Sequence, residues 1–215
     1  MSIYKNRTDA GVRLANKLEK EKKLLRAAKA GKLVVLGLAR GGVMVAAEVA
    51  KKFAVDLDVL IVGKIPYPGN LEYAIGAVAE DGHPIWSEVA EHYGIPADYK
   101  EKAVEKEIQE IKRREKEYRK GKGMARVKDK IVLLIDDGIA TGFTMKAALS
   151  EVVSEKAKEV IVAVPIIDPE TAKDFKKIVN LVALEKPANF TSIGQFYVDF
   201  LQTTDEQVKK LLGGS

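Results

Sequence analysis

Short, continuous hydrophobic runs alternate along the chain with stretches in which hydrophobic residues recur every three or four positions. The short runs are bounded by turn residues and are typical of buried strands. They predict strands at 33–38, 59–62, 73–79, 131–135, 160–166 and 181–184, with a hairpin turn at 80–82 after the third. The spaced patterns predict helices at 8–29, 43–53, 98–120, 144–154 and 169–178, the first with Thr8 as its N-cap. Strands that alternate with helices predict an α/β fold with a mostly parallel central sheet flanked by helices.

Segment 131–145, IVLLIDDGIATGFTM, carries the clearest chemistry. A hydrophobic strand runs into two adjacent carboxylates, Asp136 and Asp137, and a turn of small residues then leads into a helix. Ligands of open α/β sheets bind at the carboxyl ends of the strands, which is where these carboxylates fall. The turn and the helix start offer backbone N–H groups to an anion. The combination suits a ligand with both a phosphate and a diol or metal ion. The alternative, two solvated aspartates before an ordinary helix, leaves the threonines and glycine of the turn unexplained.

A second strand-to-helix connection, LGLARGGV at 36–43, has similar properties. Its two glycines allow a ligand to approach the backbone closely. Arg40 adds a fixed positive charge with bidentate geometry for phosphate oxygens. A turn that needs glycine only for packing is the alternative.

Segment 131–145 resembles the phosphoribosyl-pyrophosphate (PRPP) motif of the type I phosphoribosyltransferases: a hydrophobic strand, two acids, two or three small or apolar residues, and Thr-Gly-x-Thr. The resemblance implies that Asp136 and Asp137 hold the ribose hydroxyls and contact Mg²⁺ indirectly. It implies that the following turn binds the 5′-phosphate through Gly138, Ala140, Thr141, Gly142, Phe143 and Thr144. The loop formed by Ala39, Arg40, Gly41 and Gly42 would then bind pyrophosphate. Some family members have a cis peptide in this loop, which here would join Ala39 to Arg40.

The resemblance also implies a catalytic flap and a hood. Segment 62–73 contains two prolines and should leave the sheet as a flexible flap. Lys64 at its start would reach the pyrophosphate, and a solvated loop lysine is the less favoured alternative. Relatives have arginine before this lysine, whereas this chain has Gly63. Arg40, Lys64, Asp136 and Asp137 are therefore the predicted catalytic residues.

We predict a single domain over 1–215, with a core at about 30–185 and a small hood from about 1–20 and 185–212. Phe196, Tyr197 and Asp199 are the hood residues expected near the acceptor. Purine-salvage members of the family have an aspartate where this chain has Ala140, which argues against a purine acceptor. The acceptor therefore stays unidentified.

Composition excludes several other chemistries. The chain has 215 residues, a net charge of +5 and no cysteine, so disulfides, thiolate zinc sites and cysteine nucleophiles are excluded. There is no G-x-x-x-x-G-K-[ST] and no G-x-G-x-x-G after a predicted strand, which disfavours P-loop and dinucleotide binding. His83 and His92 lack a third ligand at metal-binding spacing. Without a long apolar run or a signal sequence, we expect a cytoplasmic protein with no membrane contact.

The predicted helix at 98–120 alternates glutamate and lysine, which is typical of a solvated surface helix or a dimer element. Its basic end, which contains Arg113, Arg114, Arg119, Lys120 and Lys122, could approach a pyrophosphate or a nucleic acid. The interleaved glutamates make nucleic-acid binding an unfavoured alternative. We expect a homodimer.

Together with these features, the resemblance implies a Mg²⁺-dependent enzyme that transfers the phosphoribosyl group of PRPP to an acceptor and releases pyrophosphate. One alternative is a PRPP- or nucleotide-sensing module on the same fold, with nucleic-acid binding as a further option. A hydrolase or phosphatase with Asp136 as nucleophile is another, but it is disfavoured by the Thr-Gly-x-Thr turn.

Overall fold

The computed structural model describes residues 3–92 and 94–213, and for Leu71 and Glu72 the backbone alone. The outermost residues of the predicted domain, 1–2 and 214–215, therefore lie outside the described chain. No helix in the described ranges combines the length and hydropathy needed to cross a bilayer.

A five-stranded parallel sheet forms the centre of the fold, as the sequence predicts. Its strands follow the order β2–β1–β6–β7–β8. They are β1 (Leu33–Leu38), β2 (Leu57–Leu60), β6 (Ile131–Ile135), β7 (Glu159–Ile166) and β8 (Asn180–Glu185). Strand β1 pairs with β6 in a register that places Gly37 beside Ile135. The two anion-binding loops that the sequence predicts therefore leave the sheet side by side.

The described chain contains the helices α1 (Arg7–Leu18), α2 (Lys22–Lys29), α3 (Gly41–Phe53), α4 (Glu88–His92), α5 (Ala97–Arg119), α6 (Phe143–Ser154), α7 (Pro169–Ile178) and α8 (Asp205–Leu212). Helices α1, α2 and α3 pack on one face of the central sheet and α6 and α7 on the other. The predicted helix at 8–29 is wrong as a single element. No hydrophobic residue lies between Leu18 and Leu24, so an unbroken helix would contain a turn with nothing to bury. The N-cap of α1 is also not Thr8 but Asn6, whose side chain accepts a hydrogen bond from the Asp9 amide at 2.9 Å.

A second, antiparallel sheet rises beside the central one and contains the predicted flap. Its strands are β3 (Gly63–Tyr67), β4 (Asn70–Val78) and β5 (Pro84–Trp86). The predicted strands at 59–62 and 73–79 are thus displaced, and the segment expected to be a loop is largely a hairpin. Pro66 is tolerated because the β3–β4 register shifts on both sides of it, so no ladder N–H is required there. The predicted hairpin turn at 80–82 is confirmed by the pairing of β4 with β5.

Helix α5 connects this second sheet to the core through its two ends. Near its start, the Tyr99 hydroxyl donates to the Pro66 carbonyl at 3.0 Å. At its end, the Arg119 side chain is 4% exposed and contacts the carboxylates of Glu80 at 2.6 Å and Asp58 at 3.3 Å. Arg119 is therefore a core residue and not part of an external phosphate-binding patch.

Glu151 of α6 lies under the β4–β5 connection and gives a prediction on pH. Burial raises its pKa to about 7, and the charges of Glu80 and Asp81 add to the effect. A carboxyl with a raised native pKa favours the folded state while it is protonated and loses that contribution as pH rises through about 7. The free energy of unfolding of Glu151→Gln, relative to that of the unsubstituted protein, should therefore increase by roughly 2–3 kcal/mol as the pH rises from about 5 to about 8. The Glu80 amide donates to Glu151 at 2.9 Å, a bond that glutamine retains.

Urea unfolding of both proteins at a series of pH values measures this difference. Glu155→Gln, at the exposed end of the same helix, is the matched control and should follow the unsubstituted protein. Parallel pH profiles for Glu151→Gln and the unsubstituted protein would show that the Glu151 carboxyl is not held in its protonated form.

Candidate active site

Two loops meet at the carboxyl ends of β1 and β6, and glycines allow the contact. A Cβ atom on Gly42 would lie 2.7 Å from the Ile135 carbonyl oxygen and 2.8 Å from the Asp136 Cα. A Cβ on Gly41 would overlap the carboxylate of Asp137. Because real Cβ atoms do not approach that closely, both positions need glycine to seat the first loop against the two acids. Packing alone is thus sufficient to require these glycines.

The first loop carries Arg40, and the Ala39–Arg40 peptide bond is cis, as the resemblance implies. Arg40 is the residue before α3, and its Nη1 lies 3.4 Å from Oδ1 of Asp205 at the start of α8. Asp205 also accepts hydrogen bonds from the Tyr118 hydroxyl at 2.6 Å and from Arg113 at 3.2 Å. Asp205 therefore keeps two partners if Arg40 turns towards a ligand.

The two acids have different surroundings. Oδ1 of Asp136 accepts from the Asp137 amide at 2.8 Å. Oδ2 of Asp137 accepts from Nε of Arg7 at 2.6 Å, and the Asp137 carbonyl accepts from the Tyr197 hydroxyl at 2.6 Å. Burial raises the pKa of Asp136 well above its ordinary value, and the neighbouring Asp137 charge adds to the shift. Burial also raises the pKa of Asp137, but the Arg7 cation opposes that shift. The Arg7 cation therefore favours the ionised form of Asp137 more than that of Asp136.

The turn after the acids is fixed by α7. Gly142 has a φ of 79°, and a Cβ there would lie 2.6 Å from the Phe175 ring. The Thr171 hydroxyl donates to the Ala140 carbonyl at 2.6 Å. Gly142 is the N-cap of α6 and has no side chain to occupy the first amides of that helix. The turn from Gly138 to Thr144 thus presents helix-start N–H groups beside Asp136, an arrangement suited to a phosphate.

The other predicted residues are more dispersed. Lys64 lies exposed in β3, opposite Ala77 of β4. A Cβ on Gly63 would lie 2.6 Å from the Glu107 side chain, so α5 occupies the space that an arginine would need at this position.

A hood over the site forms from both ends of the described chain. The Tyr4 backbone donates to the Phe196 carbonyl at 2.9 Å, and the Tyr4 and Tyr197 rings lie 5.3 Å apart. Phe196 and Tyr197 are only 6% and 4% exposed, so both side chains form the interior of the hood and not a surface for an acceptor. Asp199 is exposed and borders a cleft of about 170 Å³ together with Arg7.

Arg7 is the site residue that sequence reasoning missed. It lies 130 positions from its partner Asp137 and belongs to no motif. The one usable signal was its place at the start of a helix within the predicted hood, which does not identify a partner.

The acid pair also fits a metal carried by a substrate. Within the described chain, no group of three or more histidine, cysteine, aspartate or glutamate side chains could hold a metal ion. Mg²⁺ is commonly held by one or two carboxylates together with substrate phosphates. Asp136 and Asp137 match that partial donor set.

Comparison with known proteins agrees with this geometry. A family model described as the phosphoribosyl transferase domain matches residues 6–201. Two proteins from Mycobacterium tuberculosis (strains CDC 1551 and H37Rv), named as candidate phosphoribosyl transferases, are each 38% identical over 215 residues. The alignment covers 99% of this chain and 47% of each relative, so the chain spans about half the length of these curated relatives.

One solved structure is similar over nearly the whole chain. The crystal structure of TT1426 from Thermus thermophilus shares 39% sequence identity with a TM-score of 0.76, and the match covers 98% of this chain and 97% of that one. The match of the family model over residues 6–201 is sufficient to assign the family. The chain belongs to the phosphoribosyl transferase domain family.

Proposed function

We propose that this chain transfers the phosphoribosyl group of PRPP, bound with Mg²⁺, to an acceptor and releases pyrophosphate. The observation that supports this most is the position of the acid pair. Asp136 and Asp137 lie between a glycine loop that carries Arg40 and a turn that opens α6. A ligand with a diol between two phosphate groups matches that order of acid and anion sites.

The proposed roles follow from the charges. The turn from Gly138 to Thr144 binds the 5′-phosphate through backbone amides, and the acids accept hydrogen bonds from the ribose hydroxyls. Held at both ends, the sugar loses the rotational freedom that opposes the reaction. In this proposal the leaving pyrophosphate is bound by the glycine loop from Ala39 to Gly42, and Lys64 contacts it from β3.

In the reaction, the bond from C1′ to the pyrophosphate oxygen breaks and its electron pair leaves with the pyrophosphate. A lone pair of the acceptor forms the new bond to C1′. Arg40 and Lys64 stabilise the negative charge that develops on the leaving group. Arg40 reaches it by leaving Asp205, whose remaining bonds to Tyr118 and Arg113 limit the cost. Bound Mg²⁺ would neutralise part of the same charge.

Calorimetry with PRPP and with ribose 5-phosphate, each with and without Mg²⁺, tests the binding half of this proposal. We expect PRPP to bind more tightly with Mg²⁺ than without it, and more tightly than ribose 5-phosphate, because only PRPP occupies the pyrophosphate loop. Failure to bind PRPP under any condition would refute the proposal.

Pyrophosphate release in the presence of PRPP and a panel of nucleobases, aromatic acids and amines tests the transfer half. Release with one class of acceptor identifies the substrate class. Tight PRPP binding without release for any acceptor would instead favour the sensing alternative.

A further inference from the structure

Arg7 joins three parts of the molecule with one side chain. Its Nε donates to Oδ2 of Asp137 at 2.6 Å, and its Nη1 donates to the Leu201 carbonyl at 2.7 Å. Its guanidinium also lies over the Phe200 ring, 3.9 Å from the ring centroid. The Arg7 side chain is only 12% exposed, so these contacts are largely shielded from water. The planar fork of arginine can make such bonds in two directions at once, which lysine cannot.

Asp137 is held by the hood at both its side chain and its backbone. Arg7 binds its carboxylate, and the Tyr197 hydroxyl binds its carbonyl oxygen. The Tyr197 ring lies 4.9 Å from the Phe200 ring, the same ring that Arg7 covers. The N-terminal and C-terminal parts of the hood thus converge on one acid of the pair.

This convergence has a consequence for ligand binding. An arginine that binds Oδ2 restricts the rotation of the Asp137 carboxylate and so fixes the direction in which this carboxylate can accept hydrogen bonds from a ligand. A fixed acceptor binds a hydroxyl more tightly than a rotating one, because less freedom is lost on binding. Displacement of the carboxylate would also pull on the Leu201 carbonyl and the Phe200 ring through Arg7.

We propose that Arg7 is a positioning residue that orients the Asp137 carboxylate for the ribose hydroxyls and couples occupation of the ribose site to the position of the hood. The inference rests on the proposed function, because it assumes that the ligand carries a ribose diol. Arg7 acts through Asp137 and forms no bond to pyrophosphate in this proposal.

Calorimetry with three probes tests the proposal: ribose 5-phosphate, 2-deoxyribose 5-phosphate and inorganic pyrophosphate. Arg7→Met should weaken ribose 5-phosphate binding at least tenfold and change pyrophosphate binding less than twofold. The deoxy sugar lacks one of the hydroxyls that donate hydrogen bonds to the acids, so its affinity should change much less than that of ribose 5-phosphate. A merely structural role would weaken all three probes together.

Two further variants test whether Arg7 affects ligand binding through Asp137. Arg7→Lys keeps the charge but loses the fork, so we expect an intermediate loss for ribose 5-phosphate. This variant also carries the test if Arg7→Met does not fold. In an Asp137→Ala background, Arg7→Met should have no additional effect on ribose 5-phosphate binding, because the carboxylate through which Arg7 acts is gone.

Arg13→Met is the matched control, since Arg13 lies on the same helix, pairs with Asp9 and sits over the Tyr4 ring. It should bind all three probes like the unsubstituted protein. Ribose 5-phosphate binding within twofold of normal in Arg7→Met and Arg7→Lys, or an equal loss for pyrophosphate, would overturn the positioning role alone. If the unsubstituted protein binds neither PRPP nor ribose 5-phosphate, the proposed function fails and this inference fails with it.

Discussion

Asp136→Asn should weaken PRPP binding by about 10- to 100-fold while leaving the free energy of unfolding unchanged or higher. In the proposed complex Asp136 accepts a hydrogen bond from a ribose hydroxyl, and a hydrogen bond to a carboxylate is worth about 1.5–3 kcal/mol. The stability gain follows from the raised pKa of Asp136, caused first by burial and then by the Asp137 charge. Asparagine removes the ionised form that the folded state disfavours. It also keeps an oxygen for the Asp137 amide, which donates at 2.8 Å.

Calorimetry with PRPP and Mg²⁺ and a thermal unfolding series measure the two effects. Asp174→Asn is the control, because Asp174 is an exposed aspartate on α7 that pairs with Lys177. Asp137→Asn should behave differently from Asp136→Asn and lower stability, since it leaves the Arg7 guanidinium without its carboxylate. Normal PRPP affinity in an Asp136→Asn/Asp137→Asn protein would show that the acids do not hold the ribose.

Arg119→Met should destabilise the fold by about 3–5 kcal/mol, the usual cost of removing one partner from a buried ion pair. The Arg119 guanidinium contacts Glu80 at 2.6 Å and Asp58 at 3.3 Å, and also donates to the Val59 carbonyl. Burial already raises the pKa of Glu80, and Arg119 opposes that shift. Without the cation, Glu80 and Asp58 would remain with an uncompensated negative charge.

Urea denaturation gives the size of this effect. Arg113→Met is the matched control on the same helix, because Arg113 is an exposed residue that pairs with Glu110 and Glu117. Exposed pairs contribute about 0–1 kcal/mol, so the control should change stability little. Equal losses for the two variants would show that burial of the Arg119 network does not determine its strength.

The central sheet and the two loops that follow β1 and β6 can be predicted from local sequence. Strands β1 and β6 are continuous hydrophobic runs, and a strand buried on both faces has few alternatives to such a pattern. The acids and the turn to Thr144 follow β6 directly, so their relative positions depend on a few successive residues. The relative positions of these groups can be predicted because they depend on the backbone conformation of one short segment.

Elements with weaker local patterns were predicted less well. Residues 57–67 contain β2 of the central sheet and β3 of the antiparallel sheet. The boundary between these two strands depends on which neighbouring strand each residue can pair with. Pro66 argues against a strand in isolation, but the register shift beside it removes the need for its missing N–H. The break between α1 and α2 likewise depends on which side chains the core has room to bury.

The partners of the charged residues, in contrast, emerge only once the chain is folded. In the sequence, Arg7 and Arg119 look like other exposed basic residues, yet the fold buries both against carboxylates, Asp137 for Arg7 and Asp58 and Glu80 for Arg119. Arg7 and Asp137 are 130 positions apart, and no local sequence pattern around either residue indicates that the two form an ion pair. The physical reason is that an ion pair is specified by the meeting of two surfaces, whereas a strand or a phosphate-binding turn is specified by neighbours along the chain.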